Sequence, residues 1–280
     1  MKISAHCLVK NEDRFIWYSI MSVIDYVDVV RIWDTGSTDN TLSVIEEIRK
    51  NYVGEKEIVV NKLNLSNFHE GEVRQQTLDS EDADWFLVLD ADEIWWDDSI
   101  KLVTETIRKQ NNNIESIVVP TVNLVGDIFH YQEKEAGRYH LAGKKGHYNL
   151  RAVNRNIPGL SSSGEHGLWG WVDKKGVMIQ NRDIAKTLFV DAPYLHATHL
   201  ERSGKKDGDK TVFKRVKKLK YELGNNFPLD YYYPEAFFRP RPQIVSPVWQ
   251  TMGWGYTFRA FFETPLRKLN RRIMPVKIGY

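Results

Sequence analysis

Through residue 122, short apolar runs alternate with stretches whose apolar residues recur every three or four positions. Ile3–Leu8, Val29–Trp33, Ile58–Val60, Trp85–Leu89 and Ile114–Val119 are runs of strand length, several closed by turn residues. Between them, Thr41 to Tyr52 carries Leu42, Ile45, Ile48 and Tyr52 at helical spacing, after caps at Ser37 to Asp39. Phe15 to Val27 has a mixed helical pattern, and Glu70 to Leu78 reads as a short polar helix. Ser99 or Asp98 caps a predicted helix that presents Ile100, Val103 and Ile107 on one face. Strands alternating with helices predict an α/β fold with a mainly parallel central sheet flanked by helices.

Beyond Asn123 the alternation stops. Glycines, histidines and short apolar runs up to Leu200 read as irregular strands and loops. Lys210 to Leu223 carries Val212, Phe213, Val216, Leu219 and Leu223 on one helical face, with Gly224 as a stop, and so predicts an amphipathic helix. A proline- and tyrosine-rich stretch runs to about Pro247. The segment Val248 to Met274 is then aromatic and basic, and Gly253, Gly255 and Pro265 predict a broken helix or a short pair. The expected organisation is a catalytic domain over 1–205 and a helical, basic-aromatic extension over 206–280. The domain would divide into a nucleotide-binding half, 1–122, and an acceptor half, 123–205.

Charge is uneven along the chain. Residues 201–280 hold 17 Lys/Arg against 7 Asp/Glu, although the whole chain is only +2. The same tail holds 15 of the 34 aromatic residues. An anionic partner for the tail is implied, whether a diphosphate or an acidic membrane surface; nucleic acid is the weakest of these, because the basic helix has a core face. One cysteine, Cys7, excludes an intrachain disulfide and fits a reducing compartment. The N-terminus shows no signal-peptide core and no run reaches spanning length, so a cytoplasmic protein is expected.

Asp-x-Asp occurs three times, at Asp82/Asp84, Asp90/Asp92 and Asp207/Asp209. Only the middle pair directly follows a strong strand, WFLVL, and ligand sites of open α/β sheets lie beyond the carboxyl ends of strands. Two aspartates there repel each other and lose hydration unless a cation joins them. Oxygen ligands with open positions suit Mg²⁺ or Mn²⁺. The bland reading is a solvated acidic turn. DTGSTDNT, Asp34 to Thr41, ends the second strand with small residues that leave room for a base and ribose. A simple helix-cap turn would use one of those residues and leave the rest of the string unexplained.

Taken in order, HCLVKNEDRFI (His6 to Ile16), VVRIWDTGSTDNT (Val29 to Thr41), NFHEGEVRQQ (Asn67 to Gln76) and DWFLVLDADE (Asp84 to Glu93) resemble the family 2 glycosyltransferases, which have the GT-A fold. The resemblance covers roughly the first 120 residues. It implies a nucleotide-sugar donor, with a UDP-sugar favoured, and transfer with inversion to a glycan or lipid-linked acceptor in glycan or polysaccharide synthesis. Asp34 would contact the base or ribose, Arg74 would lie beside the base, and the backbone at Leu8 and Val9 would line the pocket. Ala91 lies between the two aspartates: Asp92 would be the main ligand of Mn²⁺ or Mg²⁺, and Asp90 would hold the ribose or the ion's water shell.

The general base should come from the second half. Glu165, in a small-residue loop beside Trp169 and Trp171, is the first candidate, ahead of Asp127 and Asp173. In HATHLERSGKK (His196 to Lys206), His199 is a third metal-ligand candidate, and Arg202 and Lys205 could clamp a diphosphate. Arg151 could hold an acceptor or phosphate. Trp249, Trp254, Tyr256, Phe258, Phe261 and Phe262, interleaved with cations, either contact the inner face of an anionic membrane or pack on the catalytic half. A non-catalytic nucleotide-sugar- or glycan-binding protein of the same fold is the alternative. A haloacid-dehalogenase phosphatase is disfavoured because its Asp-x-Asp follows the first strand; a nucleotidylyltransferase would need a Gly-rich Arg-Lys loop, which is missing.

Overall fold

The computed structural model describes residues 1–52, 54–63, 70–110, 114–164 and 169–273. β1 (Ile3–Val9), β2 (Val29–Asp34), β3 (Glu57–Lys62) and β4 (Trp85–Asp90) are parallel, with β1 between β2 and β4. Their continuous apolar character follows from burial on both faces: Ala5, Val30, Ile32, Trp85 and Phe86 are fully inaccessible.

Short β5 (Glu93–Trp95) follows β4 after two residues. β6 (Ser116–Val125) and β7 (Asp127–Tyr131) continue the chain, followed by β8 (Tyr139–Leu141) and β9 (Lys144–Gly146), which form a small hairpin. β10 (Tyr148–Asn154) then inserts antiparallel between β4 and β6. β11 (Ser161–Ser163) and β12 (Gly170–Val172) pair beside the sheet. β13 (Thr187–Phe189) and β14 (Tyr194–His196) both add parallel to β6, and β15 (Asn225–Asn226) closes on β7. The main sheet therefore runs β3-β2-β1-β4-β10-β6-β7-β15.

α1 (Ile16–Met21), α2 (Thr41–Asn51) and α4 (Asp97–Lys109) bury their apolar residues in the large core. α4 begins at Asp97, ahead of the expected cap, and places Asp97 and Asp98 at its positive end. Its Ile100, Val103 and Ile107 are fully buried, so truncating any one to Ala would cost about 2–5 kcal/mol. α3 (Glu70–Asp79) lies by the opposite side of β4, where Leu78 joins a second cluster with Phe86, Val153 and Trp171. Trp171 is core, packed edge-on to Phe86.

Two expectations for the tail are corrected. Lys210 to Leu223 is not a continuous amphipathic helix: α5 spans only Arg215–Lys218, after a 3₁₀ turn at Gly208–Thr211. Lys214 has φ +57, and Phe213 and Val216 face solvent while Arg215 is buried. The cause is tertiary. Arg215 reaches the carbonyls of Lys10 and Asn11 and the carboxylate of Glu12, bonds that outweigh a helical turn with an exposed apolar face. Conversely, α6 (Trp254–Ile273) is one uninterrupted helix, with Pro265 inside it. Proline leaves the Phe261 carbonyl without its helical donor, a loss that costs less here because both residues are exposed.

Candidate active site

Register assembles the site first. Leu8 pairs with both Trp33 and Asp90, and Val9 pairs with Asp34, so the end of β1 lies between the two acidic strand ends. Leu8, Val9, Thr35, Arg74, Asp90, Ala91 and Asp92 all border a cavity of about 1380 Å³. Asp34 itself is 2% exposed and does not border it; its carboxylate accepts from the amides of Gly36 (3.1 Å) and Ser37 (3.1 Å). Gly36 has φ +92, which a side chain would strain, so the turn both consumes the Asp34 carboxylate and holds it under the loop.

At the end of β4, Asp90 meets Arg151 Nη2 at 3.1 Å and Arg74 Nη2 at 3.6 Å. Arg74 is also held by Glu70 at 3.1 Å and lies 4.1 Å from the Trp169 ring centre. Arg151 further bonds Glu93 and, through Nε, the Tyr194 hydroxyl at 3.0 Å. Arg202 Nη1 sits between Glu12 Oε1 (3.2 Å) and Asp92 Oδ2 (2.8 Å). The cluster thus sets Glu12, Asp90, Asp92 and Glu93 against Arg74, Arg151, Arg202 and Arg215.

This pairing splits the carboxylates. Burial pushes Asp92 upward, but Arg202 and His196 overcome it and hold the group well below the usual carboxylate range. At Asp90 burial is likewise overcome, by Arg151 and Arg74. Burial wins at Glu93 and Glu12, both raised to about 7 despite Arg151 beside the first and Arg202 and Arg215 beside the second.

His196 Nε2 lies 3.5 Å from Asp92 Oδ2 and 4.0 Å from Glu93 Oε1. Ligand atoms of Asp90, Glu93 and His196 fall within 4.8 Å of one another. Asp92 is fully buried; its Oδ2 is ion-paired with Arg202, while its Oδ1 has no partner among the described residues. An unpartnered buried carboxylate oxygen beside a second carboxylate and an imidazole fits a Mn²⁺ or Mg²⁺ site. His199 borders the cavity but is engaged otherwise: Nδ1 donates to the Lys218 carbonyl (2.8 Å) and Nε2 accepts from Lys220 Nζ (3.1 Å). Lys205 does not border the cavity, and its amino group donates to the Thr38 carbonyl at 2.8 Å.

Glu165 lies outside the described residues; Gly164 and Trp169 on either side border the cavity. Asp127 is held by His130 (2.6 Å) and the Met252 amide (2.8 Å), and Asp173 by Arg182, both away from the cavity. Sequence reasoning gave no role to Glu12, Glu93 and Arg215. The acids stand inside motifs already singled out, KNEDR and DADE, whereas nothing local distinguishes Arg215 from its basic neighbours.

A parallel sheet whose strand ends bring carboxylates and cations together under a large cleft is the layout of a GT-A sugar transferase. The chain belongs to glycosyl transferase family 2, whose model matches residues 4–164. No curated protein matches the chain. Among solved structures, S. aureus TarS 1–349 is similar at 15% identity and TM-score 0.46, over 71% of this chain and 61% of that one. Glucosyl-3-phosphoglycerate synthase from Mycobacterium tuberculosis, in complex with Mn²⁺, UDP and phosphoglyceric acid, is similar at 17% identity and TM-score 0.46, over 70% of each chain. The chain thus spans about three fifths of the TarS fragment.

Proposed function

We propose that the protein transfers a sugar, with inversion, from a UDP-sugar to an acceptor hydroxyl in glycan or polysaccharide synthesis. The observation that carries this reading is the buried Asp92 carboxylate just after β4, which borders the cleft beside Asp90 and His196 and whose Oδ1 has no partner among the described residues. Asp92, Asp90 and His196 would hold Mn²⁺ or Mg²⁺. Such an ion, when bound, neutralises charge on a departing diphosphate.

The chain's own residues set out the rest. Leu8, Val9 and Thr35 shape the nucleotide end of the cleft, and Arg74, packed on Trp169, offers a flat cation beside the base. Arg202, always protonated and fixed between Glu12 and Asp92, adds positive charge where the diphosphate leaves. Glu165 would take the proton from the acceptor hydroxyl, converting a poor nucleophile into a competent one.

No helix among the described residues is long and apolar enough to cross a membrane. α6 nevertheless offers a surface suited to lying on one. Trp254, Phe258, Phe261, Phe262, Leu266, Leu269 and Ile273 are all more than half exposed. Their spacing puts them on one face, while Ala260 and Thr264 face the body. Arg259, Lys268 and Arg272 flank that face, which fits an anionic bilayer and a lipid-linked acceptor.

Calorimetry with UDP, with and without Mn²⁺, followed by turnover of UDP-sugars with NMR of the product anomer, tests the reading. Absence of UDP binding under both conditions would refute it.

A further inference from the structure

The cleft has a second charged end that donor binding leaves unused. Arg138 comes from the loop before β8, Lys220 from the segment after α5, and Arg267 and Arg271 from adjacent turns of α6; all four border the cavity, with His147 between them in the chain. The acids that border the cavity are Glu12, Asp90 and Asp92 at the carboxylate site and Glu70 and Glu72 on α3. None comes from the elements that supply these cations.

Their existing partners leave charge over. Arg271 is taken by Glu222 (2.5 and 2.7 Å) and Glu133 (2.9 Å). Arg267 gives one nitrogen to Glu263 at 2.7 Å, and its Nε is buried with no acceptor among the described residues. Among the described residues Lys220 Nζ bonds the imidazole of His199 alone, a neutral acceptor because its Nδ1 already donates to the Lys218 carbonyl. Arg138 makes no ion pair among the described residues. Burial pushes Lys220 down to about 8, with Arg271, Arg267 and Arg138 adding to the effect against the pull of Glu222. Four cations are therefore crowded around one partly dehydrated space, an arrangement that favours a multivalent anion.

We propose that Arg138, Lys220, Arg267 and Arg271 form an acceptor subsite for a phosphate group, so that the sugar goes to a hydroxyl of a phosphate ester. This rests on the nucleotide-sugar reading, because the donor end is built from β1, β2 and β4 and this end from the acceptor half and tail. A tetrahedral phosphate uses several donors arriving from different directions; Lys220 and the free Nε–H of Arg267 supply them from separate elements. His147 donates Nε2–H to the Glu133 carbonyl and accepts from Asn123 Nδ2 at 2.9 Å, so it enters as a neutral wall. Arg267 and Arg271 lie on the helix whose outer face is apolar, which places this subsite next to the surface that would meet a lipid.

The test uses the full chain saturated with UDP and Mn²⁺, titrated by calorimetry with glycerol 3-phosphate and separately with glycerol. Glycerol 3-phosphate should bind and glycerol should not. Lys220→Met and Arg138→Met should each weaken that binding about ten- to a hundred-fold while leaving UDP affinity unchanged, which also reports that the variants are folded. A second arm offers phosphatidylglycerol in neutral-detergent micelles. A response there that Lys220→Met loses assigns the phosphate to a lipid; a response confined to glycerol 3-phosphate assigns a soluble ester. Equal behaviour of glycerol and glycerol 3-phosphate, with UDP bound, overturns the subsite. Loss of UDP affinity in the folded variants would overturn it too, by returning the cations to the donor diphosphate. If UDP itself fails to bind, the donor reading falls, and the same titration without UDP still decides the phosphate site.

Discussion

Arg202 and Asp92 are 2.8 Å apart and both buried, joining the loop after β14 to the end of β4. Neither residue is neutral at working pH, and each lowers the other's cost of burial. Asp92→Asn breaks this balance. We expect it to remove turnover almost completely, since the missing leaving-group stabilisation is worth several kcal/mol. The fold should survive, because Glu12 at 3.2 Å still pairs Arg202. UDP release in Mn²⁺ is the measurement, and full activity in EDTA would remove the metal from the mechanism.

Asp34→Ala should weaken UDP binding indirectly, by loosening the turn that carries Thr35 at the edge of the cleft. It should also lower the melting temperature, because the amides of Gly36 and Ser37 lose their acceptor. Calorimetry and thermal melts separate the two effects. A lower melting temperature with unchanged UDP affinity would make Asp34 a turn residue only.

Glu165→Gln should cut turnover by about 10²–10⁴-fold with UDP affinity intact, as expected for a base that acts only on the acceptor. Steady-state rates at saturating donor decide it. Near-normal turnover would move the role to another acid on the cleft, Glu70 or Glu72.

The outer face of α6 should carry the protein onto anionic vesicles, with binding that weakens as salt rises. Phe258→Ser together with Phe262→Ser changes only exposed rings, 58% accessible each, and should abolish flotation without altering the melt. Flotation that is equally weak for the parent chain would leave the face without a lipid partner.

Acid should destabilise the fold through Glu81. This carboxylate is buried and bonds Ser4, His6 Nε2 (2.6 Å), Arg31 Nε (3.1 Å) and the amide of Ala83 (2.9 Å). Burial would raise it, but His6 and Ser4 reverse the shift and leave it depressed; burial depresses His6 despite Glu81. Both depressed values act in one direction. Stability from His6 is lost as pH falls from about 6.5, and that from Glu81 as pH falls below about 4.5. Glu81→Gln should cost about 3–5 kcal/mol near pH 7 and flatten the acid limb. Urea melts from pH 7 to about 2 test it, and a parallel slope in the variant below about pH 4.5 would contradict this origin.

The sequence by itself determined the parallel strands, because runs such as WFLVL are apolar on both sides and have few other ways to be buried. It also determined that Asp90 and Asp92 stand at a strand end, since position along a strand is a local property. Which groups meet those carboxylates was decided only in three dimensions. Arg151 arrives from β10, inserted antiparallel after a long excursion, and His196 from β14. His196 and His199 are three residues apart and look alike in the sequence; the path of the chain after β14 turns one toward Asp92 and the other toward Lys220. The tail shows the same limit from the other direction. Helical periodicity over Lys210 to Leu223 was real, but Arg215 gains more from three acceptors at the end of β1 than from a helical turn. Local pattern fixes what a segment can be, while the long-range partners of a few charged side chains choose among those forms.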